Sequence, residues 1–245
     1  MNRKDGRGNG ELRPITIETG VAPYAEGSAM VSAGNTRVLC AASVEEGVPS
    51  FLKGKGKGWV TAEYAMLPRA THTRTSRERR GAGGRTMEIQ RLLGRSMRAV
   101  VETANLGERT VIIDCDVIQA DGGTRTMAVT GAFVAMHQAM AGLVDRGIIA
   151  RNPVVDFVAA VSVGIIDGKL ALDLCYEEDS QADVDMNVVM TGAGKFIELQ
   201  GTAERIPFGK DDLDQLLDMA SGGIREMISM QRSSLGLNES GGVNI

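Results

Sequence analysis

The chain has 245 residues, 43% of them hydrophobic and 24% charged, a balance ordinary for a folded globular protein and too apolar for a disordered one. No uninterrupted apolar run reaches the roughly 18 residues of a membrane span, and the opening MNRKDGRGNGELR lacks the apolar stretch of a secretory signal, so the expected location is the cytoplasm, with no membrane partner. The net charge of −4 conceals opposed halves: residues 1–150 carry 20 basic against 15 acidic side chains, net +5, and residues 151–245 carry 7 against 16, net −9.

In chain order, a flexible start is followed by four strand-like stretches, LRPITIETG, GSAMVSAG, TRVLCAAS and KGWVTAEYAM, separated by Gly- and Asn-containing turns. Consecutive strands imply antiparallel pairing. Residues 69–84 hold no apolar side chain larger than Ala and read as an exposed loop. From Thr86 the spacing predicts a helix with Ile89, Leu92, Leu93, Met97, Val100 and Val101 on its core stripe, and Arg91, Arg95 and Arg98 largely off it. A strand over 108–118 leads through ADGGTRT into a helix over 127–145. The pattern restarts near Pro153. DFVAAVSVGII and KLALDLCY read as a hairpin about Asp167–Gly168, because Asp–Gly tolerates the positive φ angles of a two-residue turn. DVDMNVVMT and KFIELQGTA follow as strands, then a helix over about 212–231 that buries Leu213, Leu216, Leu217, Ala220, Ile224, Met227 and Ile228, and a tail, LGLNESGGVNI, that should fray. Strands followed by helices, twice over, give an α+β protein of two lobes, 1–150 and 151–245.

ADGGTRT carries the first chemistry. Gly122 and Gly123 allow left-handed backbone and close approach to a ligand. The amides that open a helix have no partners within it and hold partial positive charge. Thr124 adds a hydroxyl and Arg125 a planar fork of donors suited to phosphate oxygens. The same residues could equally be a glycine turn with a threonine cap and a surface arginine. GGRTMEIQ repeats the pattern at Gly83 to Thr86, so two arginine-bearing helix starts are available to one anion. Neither matches the spacing of a nucleotide P-loop or a dinucleotide-binding turn, which points to free phosphate or the phosphate of a polymer. Nine arginines between Arg69 and Arg98, against only Glu78 and Glu88, supply a local basic patch in a chain of negative net charge.

YEEDSQADVDMN reads either as a solvated acidic turn or as a pair of functional carboxylates. Val184, Met186, Val188 and Met190 alternate on one face, leaving Asp185 on the other with Asp183 and Asn187, and Asp179 sits across the turn. Two carboxylates so held could bind a hard cation or serve as acid and base. His72 and His137 are too far apart for a zinc-type cluster; His72 is expected to face solvent and His137 to pack. Cys40, Cys115 and Cys175 read as buried reduced thiols.

Taken together, ELRPITI, AGNTRVLCAASVE, KGWVTAEYAMLPRATHTR, GRTMEIQRLLGRSMRAVV, IDCDVIQADGGTRT and LDLCYEEDSQADVDMNVVMTGAGKFIELQGT make the chain resemble the ribonuclease PH family, phosphate-dependent enzymes that trim tRNA 3′ ends. The resemblance spans nearly the whole chain, though ERRGAGG at 78–84 is richer in Gly and Arg than the family pattern. It implies a first lobe like domain 2 of ribosomal protein S5, a smaller C-terminal α/β lobe, and a homohexamer built as a trimer of dimers. It further implies that Arg85, Gly123, Thr124 and Arg125 hold inorganic phosphate as co-substrate, and that Asp179 and Asp185 are catalytic and bind Mg²⁺ or Mn²⁺. Arg69, Arg74, Arg77 and Arg91 would then contact RNA, tRNA precursors with 3′ extensions above all. The implied reaction is reversible phosphorolysis, in which orthophosphate attacks the last phosphodiester and releases a nucleoside diphosphate. Its rivals are a non-catalytic RNA-binding ring subunit and a metal-dependent hydrolase that yields monophosphates without phosphate.

Overall fold

A computed structural model describes residues 3–78 and 81–237. Arg79 and Arg80 of the arginine-rich loop, and all of the expected frayed tail beyond Leu237, lie outside them.

The first lobe is a five-stranded sheet. Its strands are β1 (Ile15–Thr19), β2 (Gly27–Ala33), β3 (Thr36–Glu46), β4 (Trp59–Met66) and β5 (Arg109–Gln119), in the order β1-β2-β3-β5-β4. The first three pair antiparallel through short turns, as their sequence spacing requires. The expected antiparallel pairing fails at β4, which does not meet β3; β5 inserts between them, antiparallel to β3 and parallel to β4. The reason is the connection. Helix α1 (Gly84–Arg98) lies between β4 and β5 in the chain, and a long crossover returns the chain to the same end of the sheet, where only parallel pairing is open to it.

The second lobe is an antiparallel sheet of β6 (Val158–Ile166), β7 (Lys169–Leu172), β8 (Val184–Thr191) and β9 (Phe196–Ala203), in the order β7-β6-β8-β9. The β6–β7 turn has φ of 49° at Asp167 and 69° at Gly168, the two positive angles that a type I′ hairpin demands. β7 is shorter than its apolar run. Asp173 takes φ 55° and ends the strand, and Tyr176–Asp179 then coil into a four-residue helix, α3, where a solvated turn was one expectation.

Between the sheets lies α2 (Thr124–Asp145), which packs on β2, β3 and β5 on one side and on β6 on the other. Its sequence carries apolar groups around most of its circumference because neither side faces water. Among the described residues it is the one helix long and apolar enough to cross a membrane, and it is mostly buried inside the protein. α4 (Lys210–Ser234) covers β6, with further contacts to β1, β7 and β8; Leu216, Ala220, Ile224, Met227 and Ile228 are buried as expected, while Leu213 and Leu217 are only half-buried. One continuous apolar core joins the lobes.

Candidate active site

The turn from β5 into α2 is shaped by what presses on it. Gly122 and Gly123 take φ of 75° and 65°. A Cβ on Gly122 would sit 2.5 Å from the Leu174 carbonyl oxygen and 2.7 Å from the Tyr176 nitrogen, so the turn lies directly against the entry to α3. Gly123 is the residue before the first helical turn and has no side chain to cap it. Thr124 therefore does not act as a cap: it is the first helical residue, and its Oγ1 lies 2.9 Å from the buried Tyr64 hydroxyl. The amides that open α2 remain at the anion-attracting end of the helix dipole.

A cavity of about 400 Å³ opens at this point, and it collects the dispersed motifs. Arg85 from the start of α1, Gly123, Thr124 and Arg125 from the start of α2, Asp179 from the end of α3 and Asp185 from β8 all line it. The two glycine–arginine corners thus face one space. Thr71, Ser162 and Asn187 add polar groups to its wall, and Met66 and Leu174 apolar ones. Asn187 stands two residues beyond Asp185 on the same strand face, while Asp183, which precedes β8, is not among the lining residues.

The arginines and the aspartates act on one another within the cavity. Burial raises the Asp185 carboxyl, the neighbouring Asp179 charge adds to the effect, and the result is pushed up to about 6, with Arg125 and Arg85 opposing. Burial also raises Asp179, again against the pull of Arg85 and Arg125. Arg125 is held by Glu88 Oε1 at 3.2 Å and by Gln200, and Gln200 Nε2 donates to the same Glu88 oxygen at 2.7 Å. This network spans both lobes.

Behind the turn stands an ion pair. Arg13 Nε and Nη2 donate to Asp173 at 2.9 and 2.7 Å, and both side chains are buried. Arg13 Nη1 donates to the Asp121 carbonyl at 2.7 Å, and Thr36 Oγ1 donates to the Gly122 carbonyl at 2.7 Å. Burial acts to raise the Asp173 carboxyl, but the hydrogen bonds and charge of Arg13 outweigh it and hold the group below the usual carboxylate range. The start expected to be flexible is tied down as well. Arg3 is buried, bonds both oxygens of Glu178 at 2.7 Å and donates to the Leu172 carbonyl at 2.8 Å. Three arginines of the first thirteen residues, Arg3, Arg7 and Arg13, thereby meet the Asp173–Glu178 segment.

The remaining expected residues fall elsewhere. Arg69, Arg74 and Arg77 are exposed in the loop after β4, outside the cavity lining, and Arg91 is exposed on α1 beside a shallow depression with Met87 and Arg95. Arg98 is half-buried rather than turned away: it donates to the Val60 carbonyl at 2.8 Å and lies 4.3 Å over the Trp59 ring. His72 is exposed and His137 buried, as expected, and burial pulls the His137 imidazole below its ordinary value. Cys40 and Cys115 are buried free thiols opposite each other on β3 and β5; Cys175 is only half-buried. Sequence reasoning missed Tyr64, Thr71, Ser162 and the Arg13–Asp173 pair. The one signal within reach was the TAEYAM strand, whose alternation puts Tyr64 and Met66 on a common face.

Residues 11–141 match domain 1 of the 3′ exoribonuclease family and residues 156–223 match domain 2, and the chain belongs to that family. Within it, the chain is 59% identical over 239 residues to Ribonuclease PH of Syntrophomonas wolfei, covering 97% of this chain and all of that one. It is 58% identical over 237 residues to Ribonuclease PH of Bacillus subtilis, covering 96% and 97% respectively. Among solved structures, rice (Oryza sativa) Rrp46 superposes with a TM-score of 0.78 at 19% identity over 95% of this chain and all of that one. The Archaeoglobus fulgidus exosome with RNA bound to the active site gives 0.79 at 23% identity, over 93% and 92%. These two structures share the fold, a two-domain α+β architecture.

Proposed function

We propose that this cavity is where orthophosphate meets the 3′ end of an RNA chain, in the phosphorolytic 3′-to-5′ trimming of tRNA that the ribonuclease PH relationship assigns to this chain. One observation carries the reading: Arg85 and Arg125, from two separate helix starts, line the same cavity as Asp179 and Asp185. Arg85, Arg125, Thr124 and the first amides of α2 hold the phosphate and direct one of its oxygens at the terminal phosphodiester. The bond to the leaving 3′ oxygen breaks beside the aspartates, and a nucleoside diphosphate departs. Two anions must be brought together for this, and paired guanidinium groups in a partly enclosed space offset their repulsion.

Asp179 and Asp185 fit a hard divalent cation, Mg²⁺ or Mn²⁺. Both carboxyls are raised by burial, Asp185 further by its partner's charge, a cost that a cation would relieve, and Asn187 adds a third oxygen on the same strand face. Among the described residues no larger cluster of metal-ligating side chains forms, which suits an ion that completes its shell with water and substrate oxygens. Such an ion would supply positive charge next to the leaving oxygen. Assembly as a trimer of dimers belongs to the same reading.

The test is a tRNA precursor with extra 3′ nucleotides, incubated with and without orthophosphate. Nucleoside diphosphates released only with phosphate are the expected result; monophosphates released without it would overturn the reading. Arg85→Ala and Arg125→Ala should each raise the KM for phosphate by about tenfold or more, the size of one lost charge-assisted bond, with a smaller change in RNA affinity measured by filter binding.

A further inference from the structure

We propose that Tyr64 is a positioning residue that fixes the direction in which the Thr124 hydroxyl donates its proton, aiming it at the anion in the cavity; the proposal rests on the phosphate reading above. Tyr64 is buried on β4, 3% exposed, and its hydroxyl lies 2.9 Å from Thr124 Oγ1. Thr124 is buried too, at 8%, and lines the cavity next to Arg125. Each hydroxyl carries one proton and can accept. Without an anion, either can donate to the other. An ionised orthophosphate oxygen facing Thr124 can only accept, so Thr124 donates to it and Tyr64 then donates to Thr124. That order alone leaves both protons bonded, and in such a chain each bond strengthens the next.

The phenol is suited to the task. Burial raises it above its ordinary value, with the Thr124 hydrogen bond and then Arg85 and Arg125 opposing, so it stays protonated and remains a donor at neutral pH. Its ring is set by β4, whose parallel register with β5 places Tyr64 opposite Cys115, and two residues further on Met66 reaches the same cavity.

Tyr64→Phe removes the hydroxyl and keeps the ring. The expected outcome is a KM for phosphate raised roughly three- to tenfold, the range of a single neutral hydrogen bond, with the KM for the tRNA precursor unchanged. Orthophosphate should also protect the variant less against thermal unfolding than it protects the wild type. In a Thr124→Ala background, Tyr64→Phe should add nothing to the phosphate KM. An unaltered phosphate KM in the single variant, or an equal rise in both backgrounds, would overturn the proposal and leave the phosphate site standing. Wild-type trimming that ignores phosphate would instead remove the site itself.

Discussion

At Asp185, burial and the Asp179 charge act in the same direction, and the carboxyl titrates at about 6. In the unfolded chain it titrates near the ordinary carboxylate value. Below that value the group is protonated in both states and costs the fold nothing; as pH rises toward 6 the unfolded chain releases its proton first, and stability falls until the folded carboxyl is ionised too. Asp185→Asn should therefore stabilise the metal-free protein by roughly 1–3 kcal/mol at pH 8 and by little at pH 4, while abolishing trimming. Denaturant titration in chelator at the two pH values checks this, and equal effects at both would contradict it. Arg85, Arg125 and Asp185, which line one cavity, stood out in the sequence through local signals, glycines and an arginine before a helix or alternation along a strand, whereas Asp179 was marked only by its place in the acidic turn. The roles of all four were implied by the family resemblance alone. Tyr64 and Arg13 did not stand out, since their partners lie 60 and 160 residues away.

The turn between β5 and α2 acts as one unit with the segment that carries Asp179. Gly122 is clamped between the Thr36 hydroxyl on one side and the Leu174–Tyr176 backbone on the other. Gly122→Ala combines a left-handed backbone, worth about 1–2 kcal/mol, with a collision against main-chain atoms that cannot rotate away. It should lower stability by about 2 kcal/mol or more and reduce trimming beyond what the lost stability explains, measured as kcat under conditions where the variant stays folded. The elements themselves were largely readable, because periodicity and turn residues are properties of neighbouring positions. Two failures share a cause. The parallel placement of β4 depends on where β5 settles, and the ordering of residues 3–13 depends on Asp173 and Glu178 in the other lobe; neither partner is visible in the local pattern.

Across the whole molecule, charge is distributed by lobe. The exposed Arg74 and Arg77 sit in the basic first half, outside the cavity, where they can neutralise RNA phosphates without touching the reacting one. Replacing both by Ala should flatten the slope of log Kd for RNA against log salt by about 1.4, at roughly 0.7 per single-stranded phosphate contact, and leave the KM for orthophosphate nearly unchanged. An unaltered slope would place the RNA path elsewhere. The α+β class and the two lobes followed from the order of strands and helices, whereas the single core they share did not, because a helix buried on both sides resembles any other apolar run. That shared helix also has a bearing on biosynthesis. While the ribosome is still making β6, one flank of α2 has nothing to cover it, so the emerging first lobe presents a greasy stripe to the cell until the C-terminal half arrives; a chain interrupted near Ile149 would be a target for chaperones and proteases before it could ever be an enzyme.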